Sequence, residues 1–95
     1  MPALWIGHVT VHDEAAYGKY AALAGPAIAK HGGKFVARGG RYIQLEGIDR
    51  PRNVVAKFDS VEAAEACYNS EEYQLALSFA RGAAERELLI VETTE

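Results

Sequence analysis

The chain of 95 residues contains a single cysteine, Cys67. No disulfide can form within it, and a reducing, cytoplasmic setting is expected. No apolar run approaches the length of about 18 residues that a membrane-spanning helix needs. The N-terminus shows no basic segment ahead of a long apolar core, so no secretory signal is expected. Basic residues are in the minority: 10 Lys and Arg against 13 Asp and Glu leave a net charge of −3. That balance argues against nucleic-acid binding, which needs a basic surface to neutralise phosphates. His8, His12 and His31 lack metal-ligand spacing, and neither a metal nor a cofactor is expected. Gly32-Gly33 and Gly39-Gly40 lack the lysine and Ser/Thr spacing of a phosphate loop. Internal repeats and low-complexity segments are missing too.

What is present reads as one globular domain over residues 1–95, with 49% hydrophobic and 24% charged residues. A chain this short buries only about 60–65% of its unfolded surface, so association would add stability. Ala3 to Val11 is rich in β-branched and aromatic residues and suits a strand. Ala3, Trp5, Gly7, Val9 and Val11 share one face; Leu4, Ile6, His8 and Thr10 share the other. A strand with one wet face alternates cleanly. This one does not, which predicts helices over one side and a second subunit over the other.

Asp13 is placed to cap a helix from Glu14, with Tyr17, Tyr20, Ala21, Ala24 and Ile28 as its buried stripe. Gly25-Pro26 predicts a kink or break, and Gly32-Gly33 the C-terminal stop. Phe35 to Arg38 reads as a strand and Tyr42 to Leu45 as another, or as its continuation. Gly39-Gly40 between them allows either a hairpin or a bulge. Asn53 to Phe58 is the next strand. Ser60 and Ser70 cap two short helices, Gly82 ends the second, and Glu87 to Thr93 is the last strand. The order is that of a ferredoxin-like βαββαβ fold, α+β, with an antiparallel sheet and helices on one face. Its bare face should hold Leu4, Ile6, Val36 and Val55, an apolar surface that a two-fold dimer would cover sheet to sheet.

Four segments carry a family resemblance. They are Ala24-Gly25-Pro26-Ala27-Ile28, Gly32-Gly33-Lys34-Phe35, Arg38-Gly39-Gly40 and Tyr68-Asn69-Ser70-Glu71-Glu72-Tyr73-Gln74. Together they resemble a small bacterial family, the domain of unknown function thirteen-thirty, over nearly the whole chain. The resemblance implies the dimeric α+β barrel superfamily, in which two ferredoxin-like sheets pair around a central barrel. Its members include cofactor-free monooxygenases, muconolactone isomerase-like enzymes and stress-responsive proteins.

The parity of the strands puts His8, Arg38 and Lys57 on the bare face, where they are expected to converge. Cations in an apolar cavity favour a small anion such as a carboxylate or enolate. His8 is the candidate general base, with Arg38, Lys57 and Tyr17 as candidate substrate-binding residues. The competing reading has Arg38 and Lys57 paired with Glu46, Glu87 or Glu92 across the dimer, and His8 as a hydrogen-bonded core residue. Tyr17, Tyr20, Tyr68 and Tyr73 fit the core by their helical spacing, and Cys67 fits it as a small hydrophobe. Arg50-Pro51-Arg52 reads as a solvated basic turn. The functional expectation is a homodimer that takes a small anionic or aromatic ligand. It would be a cofactor-free isomerase or monooxygenase, or a non-catalytic ligand-binding or stress-response protein.

Overall fold

The computed structural model describes residues Met1 to Glu95. Its elements are β1 (Ala3–Val11), α1 (Glu14–Lys30), β2 (Lys34–Arg38), β3 (Arg52–Phe58), α2 (Val61–Tyr68), α3 (Glu71–Ala80) and β4 (Ala84–Glu92). The sheet runs β2-β3-β1-β4 with every pair antiparallel, which is the ferredoxin-like α+β arrangement. Each helix opens on the cap its sequence supplies. Asp13, Ser60 and Ser70 accept hydrogen bonds from the backbone N–H of Ala16, Ala63 and Tyr73.

All three helices lie on the side of Ala3, Trp5, Gly7 and Val9. There Trp5 packs against Phe58, Tyr68 and Tyr73, with ring centroids 5.7, 6.0 and 5.0 Å away. Tyr17, Tyr20, Ala24, Ala27, Ile28, Ala56, Cys67 and Leu77 complete the core. The Cys67 thiol is buried in it and its pKa is pushed up to about 11, by burial first and by Glu72 second. The opposite face has no helix over it. Val36, Leu89 and Val91 stand 62, 55 and 45% exposed, alongside half-buried Leu4, Ile6 and Val55.

Three local expectations change. The helix α1 continues through Pro26 without a break. Pro26 and Ala22 are both solvent-facing, so the Ala22 carbonyl, whose helical partner would be the missing N–H, is free to bond water. Tyr42 to Leu45 forms no strand. After the Gly39 N–H donates to Asn53 O the chain leaves β3, and Ile43 and Leu45, 76 and 87% exposed, find no strand to pair with. The irregularity sits earlier than the Gly-Gly pair, as a β-bulge at Val36 between Phe35, paired with Ala56, and Ala37, paired with Val55. In addition β4 starts at Ala84, three residues ahead of the expected Glu87.

Gly33 marks where α1 turns into β2, and here the chain passes too close to the core for a side chain. A Cβ on Gly33 would sit 2.5 Å from Ile28 Cγ2 and 2.7 Å from Phe58 Cζ. Gly33→Ala is therefore expected to cost about 2 kcal/mol through overpacking. In a domain of this size that lowers Tm by on the order of 10 °C, which a thermal melt would read. An unchanged Tm would mean that Ile28 and Phe58 give way freely.

Candidate functional site: an arginine-lined slit under helix α1

On the helix side of the sheet, side chains stand in rows across the strands. One row has Gly7 between Val54 on β3 and Leu88 on β4; the next has Val9 between Arg52 and Arg86. Gly7 contributes no side chain, and the part of α1 above it is built from Ala21, Ala24 and Gly25. Small residues on both walls leave a slit, floored by Trp5, Gly7, Val9 and Val54. As a cavity it measures about 30 Å³. A second recess of about 210 Å³ lies at the mouth and shares Tyr17 and Arg52 with the slit.

Three guanidinium groups face this space. Arg86 reaches between α1 and α3, where its Nη2 donates to Tyr20 Oη at 2.9 Å and Tyr73 Oη at 3.0 Å. The two hydroxyls share a 2.7 Å hydrogen bond, and the Arg86 head lies 4.7 Å from the Tyr20 ring centre. Arg52 lies 5.6 Å from the ring centre of Tyr17. Arg38 lies over Phe35 at 4.2 Å, and its Nη2 is 3.4 Å from where a Cβ of Gly25 would stand. None of the three has a carboxylate partner: the ion pairs of the chain are His12–Glu85, Lys30–Glu72 and Arg50–Glu87. The Nε atoms of Arg52 and Arg86 are buried and make no hydrogen bond. Burial is the main cause that raises the pKa of both Tyr20 and Tyr73 above the ordinary phenol value. At neutral pH both are hydroxyl donors and neither is a base. Chemically, the slit can neutralise and hydrogen-bond a negative oxygen. It holds no carboxylate or imidazole to take a proton.

The structure brings Tyr17 and Arg38 together at this slit and leaves His8 and Lys57 on the other side of the sheet. The bulge at Val36 is the reason. One extra residue reverses the parity of Arg38, which pairs with Val54 and so faces α1 instead of the bare face. His8 and Lys57 do share the bare face, but His8 pairs with Asn53 and Lys57 with Leu4, four positions apart, or roughly 13 Å along the strands. The expected three-residue convergence does not form. Lys57 instead stands opposite Lys34. His8 is exposed, its Nδ1 2.7 Å from Asn53 Oδ1. Asn53 is oriented by donating from Nδ2 to Arg50 O, so Nδ1 of His8 carries the proton and Nε2 is left free. Arg50 in turn binds Glu87 and Thr10. The Arg50-Pro51-Arg52 turn thus divides, one arginine to each face. No group of three or more His, Cys, Asp or Glu side chains is placed to hold a metal ion.

Arg52 and Arg86 were not among the expected site residues, though the sequence carries a signal for them. Each has the parity of an apolar stripe, Arg52 with Val54, Ala56 and Phe58, Arg86 with Leu88 and Ile90. An arginine continuing a buried stripe is the kind of residue that needs a reason.

The family model described as domain of unknown function (DUF1330) matches residues 2–94. Among solved structures, a protein of unknown function from Rhodopseudomonas palustris superposes with a TM-score of 0.79 at 22% identity, covering 99% of this chain and 83% of that one. A dimeric ferredoxin-like protein of unknown function from Jannaschia has a TM-score of 0.76 at 13% identity, over 98 and 100% of the two chains. A cofactor-independent oxygenase from Streptomyces nogalater has a TM-score of 0.65 at 14% identity, over 99 and 94%. At these identities the likeness is one of fold. No curated protein matches the sequence.

Proposed function

Since the chain belongs to the DUF1330 family, whose description names no activity, we propose a function from the slit itself: it binds a small organic acid or aromatic metabolite as its anion. The observation that carries this is the trio Arg38, Arg52 and Arg86, each against an aromatic ring and none in an ion pair with a carboxylate. Guanidinium groups that face an apolar slit without a carboxylate partner attract counter-charge, and an anionic ligand supplies it. A second copy of the chain would cover the bare sheet face, and that two solved structures of like fold are described as dimeric supports a homodimer.

The chemistry that such a slit supports is stabilisation of an enolate or phenolate. Donors fixed beside the developing negative oxygen lower the barrier to forming it. A cofactor-free isomerase or monooxygenase acting on a substrate that ionises readily fits this, and the likeness in fold to a cofactor-independent oxygenase supports it. The lack of a proton acceptor in the slit favours a second reading, binding without turnover. His8, with Nε2 free on the opposite face, would serve as base only for a ligand held there.

Trp5 is the only tryptophan and lines the slit, so its fluorescence reports occupancy. Benzoate is expected to change that emission at saturable concentration, and neutral benzamide, of nearly the same shape, is not. Arg52→Met combined with Arg86→Met should weaken benzoate on the order of 100-fold, two charge-assisted contacts being lost. Equal binding of benzoate and benzamide would defeat the proposal.

A further inference from the structure

We infer that the segment between β2 and β3, Arg41 to Glu46, is an arm that adds itself as a strand to the outer edge of β4 in a second copy of the chain. This rests on the homodimer reading and adds how the two copies hold each other. The arm has the composition of a strand, with Ile43 and Leu45 at the spacing of one strand face. On its own chain both are exposed, as is Ile48 just beyond, and the arm makes no backbone hydrogen bond to any strand. It is nevertheless a built unit. Tyr42 Oη donates to Asp49 Oδ1 at 2.6 Å, Gln44 Nε2 donates to Glu46 O, and Gly47 turns the chain at φ +87°. Large apolar side chains held out in water by such a turn mark a surface of association.

The sheet has two open edges, β2 and β4. β2 is five residues long, bulged at Val36, and begins and ends on a cation, Lys34 and Arg38. Shortness, bulges and charge all keep an edge from pairing. β4 runs nine residues, with no bulge against β1 and Leu88-Leu89-Ile90-Val91 unbroken within it. Leu89 and Val91 are more exposed than their partners Ile6 and Leu4, since no strand flanks them on the outer side. A recess of about 370 Å³ opens at the same edge, between β4 and the end of α2, lined by Tyr68, Asn69, Leu88, Leu89 and Ile90 among others. An added strand would therefore meet apolar neighbours on both of its faces. The arm lacks a strand to pair with, and β4 lacks a neighbour. A two-fold axis lets each copy supply what the other is missing, with both arms used and both β4 edges closed.

Hydrogen exchange of the full chain, read beside sedimentation velocity across the range in which the dimer dissociates, tests this. In the dimer the amides of Tyr42 to Leu45 and of the outer edge of β4 should exchange at least about ten-fold more slowly than in the single chain. Ile43→Ser combined with Leu45→Ser alters two exposed positions, so the single chain should melt as before. The dimer should weaken by at least about 100-fold, because two apolar side chains from each copy lose their burial. If the chain dimerises while those amides exchange as fast as in the single chain, the sheet-to-sheet dimer stands and this inference falls. A double variant that dimerises as tightly as the unmodified protein would also overturn it. Slow exchange that persists after complete dissociation would place the arm on its own chain, with the same consequence. If no dimer forms at any concentration, the dimer and the inference fail together, and the arm is left for a different protein.

Discussion

Leu89→Glu is expected to turn a two-chain particle into single chains. Leu89 lies in a row with Ile6 and Val55 on the bare face, and the next row holds Leu4 and Val91. Leu89 is 55% and Val91 45% exposed in the single chain, with Val36 at 62% beside them. The dimer proposed above would bury this face, and a two-fold pairing places the same patch on both partners. One substitution therefore inserts two carboxylates into the interface. An uncompensated buried charge costs several kcal/mol per ion, so the dimer should weaken by on the order of 10,000-fold or more. Sedimentation velocity at micromolar concentration would show it. Leu75→Glu is the control: Leu75 is 57% exposed but lies on α3, on the other side of the molecule, and that variant should stay dimeric. If Leu89→Glu also stays dimeric, the bare sheet is not the interface.

The fold was legible because each of its elements announces itself locally. Asp13, Ser60 and Ser70 cap where capping residues should, and Gly32 and Gly82 take the left-handed conformation at the ends of α1 and α3. The apolar residues on both faces of β1 mark it as central. The site was less legible because it depends on a register. A bulge at Val36, where neither Gly nor Pro stands, decides which side of the sheet Arg38 occupies, and period-two reasoning places it wrongly without that extra residue. Tyr42 to Leu45 misled for a related reason: a β-type composition makes a strand only where a neighbour offers an edge. Tyr17, Tyr20 and Tyr73 serve the core and the slit at once. They are core residues by burial, and their ring faces and hydroxyls also position the arginines.

Gly7→Val is expected to weaken ligand binding roughly 10- to 150-fold while leaving the protein as stable as before, or more so. Gly7 is buried in the middle of β1 at the floor of the slit. Its backbone does not require glycine: its φ is not among the positive ones, and a Cβ would meet Leu88 Cδ1 at 3.4 Å, an ordinary contact. Glycine inside a strand costs roughly 0.5–1 kcal/mol in backbone entropy, and valine favours the pleated backbone. A glycine kept there against its own cost is explained by the space it leaves. The two methyl groups of valine would enter that space, and a ligand forced against them loses about 1–3 kcal/mol, or roughly 10- to 150-fold in affinity. A thermal melt and a benzoate titration of the same sample separate the two effects. The variant also distinguishes the two sides of the sheet. Should Gly7→Val bind normally while His8→Ala or Lys57→Ala does not, the ligand lies on the bare face, inside the dimer, with His8 Nε2 as the available base. Should Gly7→Val lose binding while His8→Ala keeps it, the ligand lies under α1, and the bulge at Val36 is what turned Arg38 toward it.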